Sequence, residues 1–294
     1  MYRTLLVPLD RTSFAEQALP MAVGIARRAN ARLDLVEVHA LYALEDPTAG
    51  WLRYEPDRDA EYQRHERNYL DATAKWVTAV SMVSASADLL AGSVVLPETV
   101  AGSILSRACA VNADLIVMAT HGHGAASRFG LRSVAYELLR RAPMPILLMR
   151  PGDRVSRLIP EAVLDNILIP LDGSPLAEQV LAPAMELARI MEARCCLVRV
   201  VDFNSSPAGA EAYLGRIAEK IRDPGLQVRT RVVVGRHAAA AILEGTEIEE
   251  SNLIALATHG RGGLKRLFLG SVADELVRTA GLPVLVYRPT GKEN

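Results

Sequence analysis

The stretch Ala257-Thr-His-Gly-Arg-Gly-Gly-Leu-Lys-Arg-Leu-Phe-Leu-Gly-Ser-Val272 decides how the chain is read. It follows a short apolar run, Leu253 to Leu256, and leads into Val272, Leu276 and Val277 at helical spacing. It therefore reads as a buried strand, a glycine-rich loop and the start of a helix. The first turn of a helix has backbone N–H groups without partners and carries the positive end of the helix dipole. A glycine that lets a ligand approach makes that turn an anion site. Gly260 and the Gly270-Ser271 pair are placed for this, and Arg261, Lys265 and Arg266 between them suit a polyphosphate better than a single carboxylate. Glycines at such positions also serve plain turn chemistry, so the loop alone leaves both readings open.

The stretch has a counterpart earlier in the chain. Residues 114–151 match residues 252–289 at 20 of 38 positions without a gap, and Leu6-Val-Pro-Leu-Asp10 recurs as Leu168-Ile-Pro-Leu-Asp172. Such self-similarity means two copies of one unit. The expected domains are residues 1–152 and 153–294, meeting in the proline- and charge-rich segment from Gly152 to Pro160. In the first copy the pattern predicts strands at Thr4 to Leu9, Arg32 to His39, near Asp88 to Val95, Leu115 to Ala119 and Ile146 to Arg150. Helices are expected at Ser13 to Ala29, Asp57 to Thr78, Glu98 to Val111 and up to about Arg141. The near-continuous apolar runs Leu5 to Leu9 and Leu115 to Ala119 mark strands covered on both faces, as in parallel sheets. The fold class is thus α/β: two tandem Rossmann-like sandwiches, each with a five-stranded parallel sheet. Ser13 with Glu16 fits a capping box, and Ser174 followed by Pro175 fits the other copy's helix start. Between Asp10 and Gly122 the first copy has 24 more residues than the second has between Asp172 and Gly260, and most are expected around Ala40 to Asp57, as a lid, a contact surface or an inert insertion.

Composition narrows the function. Half of the 294 residues are apolar and the formal net charge is -1, which argues against a dedicated nucleic-acid binder. Three cysteines, Cys109, Cys195 and Cys196, lack metal or disulfide-framework spacing, so a reducing, cytoplasmic location is expected. Neither a signal peptide nor an apolar stretch near the roughly 20 residues of a membrane span is apparent, so no membrane partner is expected. His121 and His123 form a His-x-His without further ligands at metal spacing and read as a loop pair. No Gly-x4-Gly-Lys-(Ser/Thr) occurs, which removes the P-loop class. Cys195-Cys196 falls in a predicted strand and reads as core.

In an open parallel sheet, ligands bind beyond the carboxyl ends of the strands, where strand order reverses. Asp10 and Asp172 end the first strand of their copies and the glycine loops follow the fourth. If those strands are neighbours, one crevice holds both. A carboxylate there can accept hydrogen bonds from ribose hydroxyls or an adenine amino group, while Asp-Gly-Ser-Pro is equally a turn sequence.

On these residues the unit resembles the universal stress protein family, whose nucleotide motif is Gly-x2-Gly-x9-Gly-(Ser/Thr). The second copy reads Ala257-x2-Gly260-x9-Gly270-Ser271, departing only at the first glycine. The resemblance covers both copies nearly end to end and implies an ATP-binding fold, with or without Mg. It implies Pro170, Asp172 and Val200 near the adenosine and Ala257, Gly260, Arg261, Gly270, Ser271 and Val272 around ribose and phosphates. It also implies that the last strands, Pro145 to Arg150 and Pro283 to Arg288, pair so that the copies imitate a family dimer. A further homodimer and an unidentified protein partner are compatible with it. The first copy, Ala119-x2-Gly122-x9-Arg132-Ser133, has arginine for the third glycine, so Asp10, Val38, Gly122, Arg132 and Ser133 form the weaker set. If that third position needs a positive φ, a Cβ there costs roughly 1–2 kcal/mol. The expectation is a tandem family member binding ATP mainly in its second copy as a regulatory, stress-response module. With no evident general base, slow hydrolysis is the most that is expected of it as an enzyme. The alternatives are a nucleotide-free scaffold and an adenylating enzyme.

Overall fold

The computed structural model describes residues 2–39, 43–45, 52–91, 97–120, 134–150, 164–258 and 269–289. In the first half, strands β1 (Thr4–Pro8), β2 (Arg32–His39), β5 (Ala85–Ala91), β6 (Leu115–Ala119) and β7 (Ile146–Met149) alternate with helices α1 (Leu19–Ala29), α2 (Pro56–Ser81), α3 (Pro97–Ala110) and α4 (Val134–Arg141). A short antiparallel hairpin, β3 (Ala43–Glu45) with β4 (Leu52–Tyr54), stands before α2. The second half repeats the order without the hairpin: β8 (Asn166–Pro170), α5 (Pro175–Glu178), α6 (Leu181–Met191), β9 (Arg194–Val201), α7 (Pro207–Lys220), β10 (Val228–Val234), α8 (Ala238–Ile248), β11 (Leu253–Ala257), α9 (Ser271–Thr279) and β12 (Val284–Tyr287).

Each half builds five parallel strands, in the orders β5-β2-β1-β6-β7 and β10-β9-β8-β11-β12. The two sets join into one ten-stranded sheet because β7 and β12 pair antiparallel, with Leu147 opposite Leu285. That is the pairing expected of the last strands. Alternation along the strands sends one residue set to each face, so two apolar cores run across both halves. Leu5, Val7, Leu147 and Leu285 belong to one; Leu6, Ile146, Leu148 and Val286 belong to the other. Helices α1, α2, α6 and α7 cover the first face and α3, α4, α8 and α9 the second. On the first face Tyr2 donates a hydrogen bond to the Pro183 carbonyl at 2.9 Å, tying the start of the chain to α6.

Three expectations change. The first helical segment, Ala15–Ala18, has Phe14 at its N-cap without a side-chain bond, and its start is held by Thr12, whose Oγ1 accepts from the Ala15 N–H at 3.1 Å, and not by Ser13 in a capping box. Thr12 follows Asp10 by two residues as Ser174 follows Asp172, and Ser174 caps α5 in the same way, accepting from Ala177 N–H at 3.1 Å. A carboxylate that binds the capping hydroxyl fixes the cap position in both halves. The third strand of the first half, described at Ala85–Ala91, starts earlier than the expected Asp88 because pairing with β2 sets its register, and residues 92–95 of that expectation lie outside the described residues. The extra length of the first half is divided between the hairpin region and α2, which has 26 residues against 14 in α7. The boundary segment at Gly152 to Pro160 and the histidines His121 and His123 lie outside the described residues.

Candidate functional site

In each half the strand order reverses between the first strand and the fourth, β1 beside β6 and β8 beside β11. Connections leaving those strands go to opposite faces, which opens a crevice beyond their carboxyl ends. In the second half this crevice is a cavity of about 820 Å³, within the roughly 300–1,000 Å³ usual for small-molecule sites. Pro170, Asp172, Val200, Ala257, Gly270, Ser271 and Val272, all singled out by sequence, line it together. Val198, Ala238, Ile242 and Leu276 make an apolar wall on the side of α8 and α9, the kind of surface a purine ring would cover.

At the other end of the cavity stands the first turn of α9. Gly270 is its N-cap, without a side-chain cap, and the nine-residue helix starts at Ser271. The amides of Ser271, Val272 and Ala273 lie in the turn that has no intrahelical acceptors, and all three residues line the cavity. Gly270 has φ -57, so the positive φ entertained for this position is not what glycine supplies. The reason is close approach. The Gly270 N–H donates to the Thr258 carbonyl at 2.7 Å, and a Cβ at residue 270 would stand 3.1 Å from that same carbonyl oxygen. Glycine lets the helix start lie flat against the end of β11.

Asp172 ends β8 in a tight turn. Its Oδ1 accepts from the Ser174 N–H at 2.9 Å and the Ser174 hydroxyl at 2.7 Å, and Gly173 between them takes φ 85, a left-handed conformation that glycine adopts without steric cost. The turn and ligand readings of this aspartate are therefore compatible, since the carboxylate that orders the turn also lines the cavity. Sequence reasoning missed Arg199, Asp202, Ser205, Ser206 and Thr258, which line it as well. Arg199 lies over the Tyr213 ring, its guanidinium carbon 4.8 Å from the centroid, and Tyr213 donates to Glu178 at 3.1 Å. Burial, with Glu178 adding, pushes the Tyr213 hydroxyl well above its usual value and keeps it a donor. The signal for Arg199 was its place beside Val200 at the end of a strand, and Ser205-Ser206-Pro207 was a legible helix start.

The corresponding place in the first half is built differently. Asp10 repeats the turn, its Oδ1 accepting from the Thr12 N–H at 3.0 Å and the Thr12 hydroxyl at 2.5 Å, but it is exposed. The residue after it is Arg11, held at φ 65, where the second half has Gly173. Arg11 donates to Glu37 at 2.8 Å and pairs with Glu66 at 3.1 Å. Glu37 is the sixth residue of its eight-residue strand, the position of Arg199, and Val38 beside it packs on the α3 side as Val200 does on the α8 side. Gly122, Arg132 and Ser133 in the first half, and Gly260, Arg261, Lys265 and Arg266 in the second, lie outside the described residues.

Cys195 and Cys196 are buried in β9, and burial raises their thiols to about 12 and about 11, consistent with core and not redox chemistry. Among the described residues no cluster of His, Cys, Asp and Glu could hold a metal ion. No described helix is long and apolar enough to cross a membrane.

A doubly wound sheet with its ligand-sized cavity at the carboxyl ends, where strand order reverses, defines a Rossmann-like α/β protein. The universal stress protein family model matches residues 1–150 and 164–288. The chain belongs to that family. It is similar to a universal stress protein of Mycobacterium tuberculosis, 30% identical over 192 residues, or 60% of this chain and 62% of that protein. The match therefore spans somewhat under two thirds of that relative's length. Another from the same organism is 26% identical over 289 residues, covering 92% of this chain and 93% of the relative. Among solved structures, a universal stress protein from Archaeoglobus fulgidus has the same fold, with a TM-score of 0.74 at 18% identity, covering 99% of this chain and 97% of that one.

Proposed function

We propose that the chain is a two-domain universal stress protein, residues 1–152 and 153–294, that binds ATP mainly in its second domain and acts as a regulatory binding module in a cytoplasmic stress response. One observation carries the reading: the cavity of the second half unites an apolar wall, the Asp172 turn and the bare first turn of α9 at Gly270. The adenine ring lies against Val200, Ile242 and Leu276, Asp172 takes ribose or the adenine amino group, and the amides of Ser271 and Val272 take phosphate oxygens. Gly270 fits the group because its missing Cβ lets the first turn of α9 lie against the Thr258 carbonyl beside the cavity. Bound Mg would neutralise phosphate charge; the donors for it are those of the nucleotide. Binding, and not fast turnover, is the expected activity.

Isothermal calorimetry of the full chain with ATP tests the reading, together with chromatography of any nucleotide released on denaturation. The expected result is saturable binding of one ATP per chain. A flat titration at millimolar ATP and no co-purifying nucleotide would refute it and favour a scaffold.

A further inference from the structure

The first half holds an ion-pair cluster at the place where the second half has its cavity. Three correspondences locate it. Arg11 follows Asp10 as Gly173 follows Asp172, and Glu37 occupies the strand position of Arg199. Glu66 precedes Tyr69 by three residues as Ala210 precedes Tyr213, and the two tyrosines donate to Glu16 and Glu178, themselves equivalent. Arg199 and Ala210 line the cavity; Glu37 and Glu66 are 4% and 3% exposed and bonded to Arg11. The cluster continues through His39, which is 4% exposed. Its Nδ1 lies 2.5 Å from Glu66 and its Nε2 3.0 Å from Asp59. Both ring nitrogens thus lie within hydrogen-bond distance of a carboxyl oxygen.

Bond by bond, every carboxylate oxygen but one has a donor. Asp59 Oδ1 has His39, and its Oδ2 accepts from Tyr54 and Gln63, each at 3.1 Å. Glu66 has His39 on Oε2 and Arg11 on Oε1. Glu37 has Arg11 on Oε1, while its Oε2 is buried with no hydrogen-bond partner among the described residues. The charge count agrees. Three acids face one guanidinium and one imidazole, so the acids are in excess whether or not the ring is charged. An uncompensated charge in a buried site is resolved by taking up a proton.

We infer that the first half carries a proton-binding site, Glu37 Oε2, in the place of the second half's ligand cavity, so that the two halves of one fold bind different ligands. The turn presents Asp10 and Arg11. Helix α2 presents Asp59, Glu66 and Tyr69, and Glu16 stands behind Tyr69. The strand itself adds His39, and β5 places Leu89 opposite Glu37. The α1 charges, Arg27 and Arg28, sit in its last turn, at the far end of β2. Burial raises the Glu37 carboxyl to about 7, with Arg11 opposing and Glu66 and Asp10 adding. Proton uptake near neutral pH removes the unpartnered charge and steadies the amino-terminal turns of α2, where Asp59 and Glu66 lie.

A carbon-detected titration of the full-length protein, labelled at glutamate Cδ and assigned through bonds to each backbone, tests this from pH 5 to 9. The Glu37 carbon should titrate near pH 7, above the other glutamates, and the late signal should vanish in Glu37→Gln. A Glu37 midpoint below about 5.5, or a late signal that persists in Glu37→Gln, would overturn it. If that variant does not fold, the assigned midpoint in the parent protein decides alone. Nucleotide is absent from this measurement, so its outcome is independent of the ATP reading.

Discussion

The two halves share strand order, the aspartate-bound helix cap and the tyrosine-to-glutamate bond, yet differ at three positions of the crevice. Where the second half has Arg199 and Ala210 lining a cavity and Gly173 in the turn beside it, the first has Glu37 and Glu66, both bonded to Arg11. The turn carboxylate follows suit: Asp172 is half-buried in the cavity and Asp10 is exposed. The lesson is that a duplicated scaffold keeps what builds the sheet and frees what faces the crevice. Backbone turns and cores are set by residues common to both copies. Ligand chemistry rests on a few side chains that can diverge without disturbing them.

The largest expected effect breaks the second site. Gly270→Arg brings a Cβ to 3.1 Å from the Thr258 carbonyl and a long side chain over the helix start. ATP affinity should fall by ~100-fold or more, about 2.7 kcal/mol, in calorimetry, with the unfolding midpoint of the first half unchanged. Next, Glu66→Ala should take from His39 and Arg11 the carboxylate they share, leaving a buried ring nitrogen without its partner. That costs about 2 kcal/mol, to be read by chemical denaturation, while ATP binding should persist.

The pH dependence follows from Glu37, whose carboxyl is raised from 4.5 to about 7 in the folded protein. The folded state then holds its proton more tightly than the unfolded chain. This contribution to stability is full below 4.5, shrinks as pH rises, and is gone above about 7. Its upper bound is of order 3 kcal/mol. The difference in unfolding free energy between the parent and Glu37→Gln should therefore change between pH 5 and pH 8; a constant difference would contradict it. The smallest effect falls equally on both halves: Ser174→Ala and Thr12→Ala each remove a helix cap and should each cost about 1 kcal/mol in thermal unfolding. A loss confined to one half would show that the shared turn is not equivalent.

Much of this was legible in the sequence because the duplication reads each element twice. Strands Arg32–His39 and Leu115–Ala119 were expected at their observed bounds, the second from a continuous apolar run and the first from apolar residues interleaved with charge at Arg32, Asp34 and Glu37. The edge strand Ala85–Ala91 was misplaced because Ala85-Ser-Ala-Asp carries little apolar signal and its register is set by β2. The site residues that follow a motif, Asp172, Gly270 and Ser271, fall together in the cavity. The strand end at Arg199 and the helix start at Ser206 were legible one by one, but that β9 and α7 bring them to the same cavity is a tertiary fact. The cluster of Arg11, Glu37, His39, Asp59 and Glu66 was invisible for the same reason. Its members lie on a turn, a strand and a helix, and a charged residue in a sequence normally means solvent.

A crystal structure of the full-length protein grown with ATP tests the central claim most directly. The account predicts nucleotide density in the second half alone, with the purine against Val200 and Ile242 and phosphate oxygens on the amides of Ser271 and Val272. Density instead beside Asp10 and Val38, or an empty second cavity at an ATP concentration that saturates calorimetric binding, would contradict it.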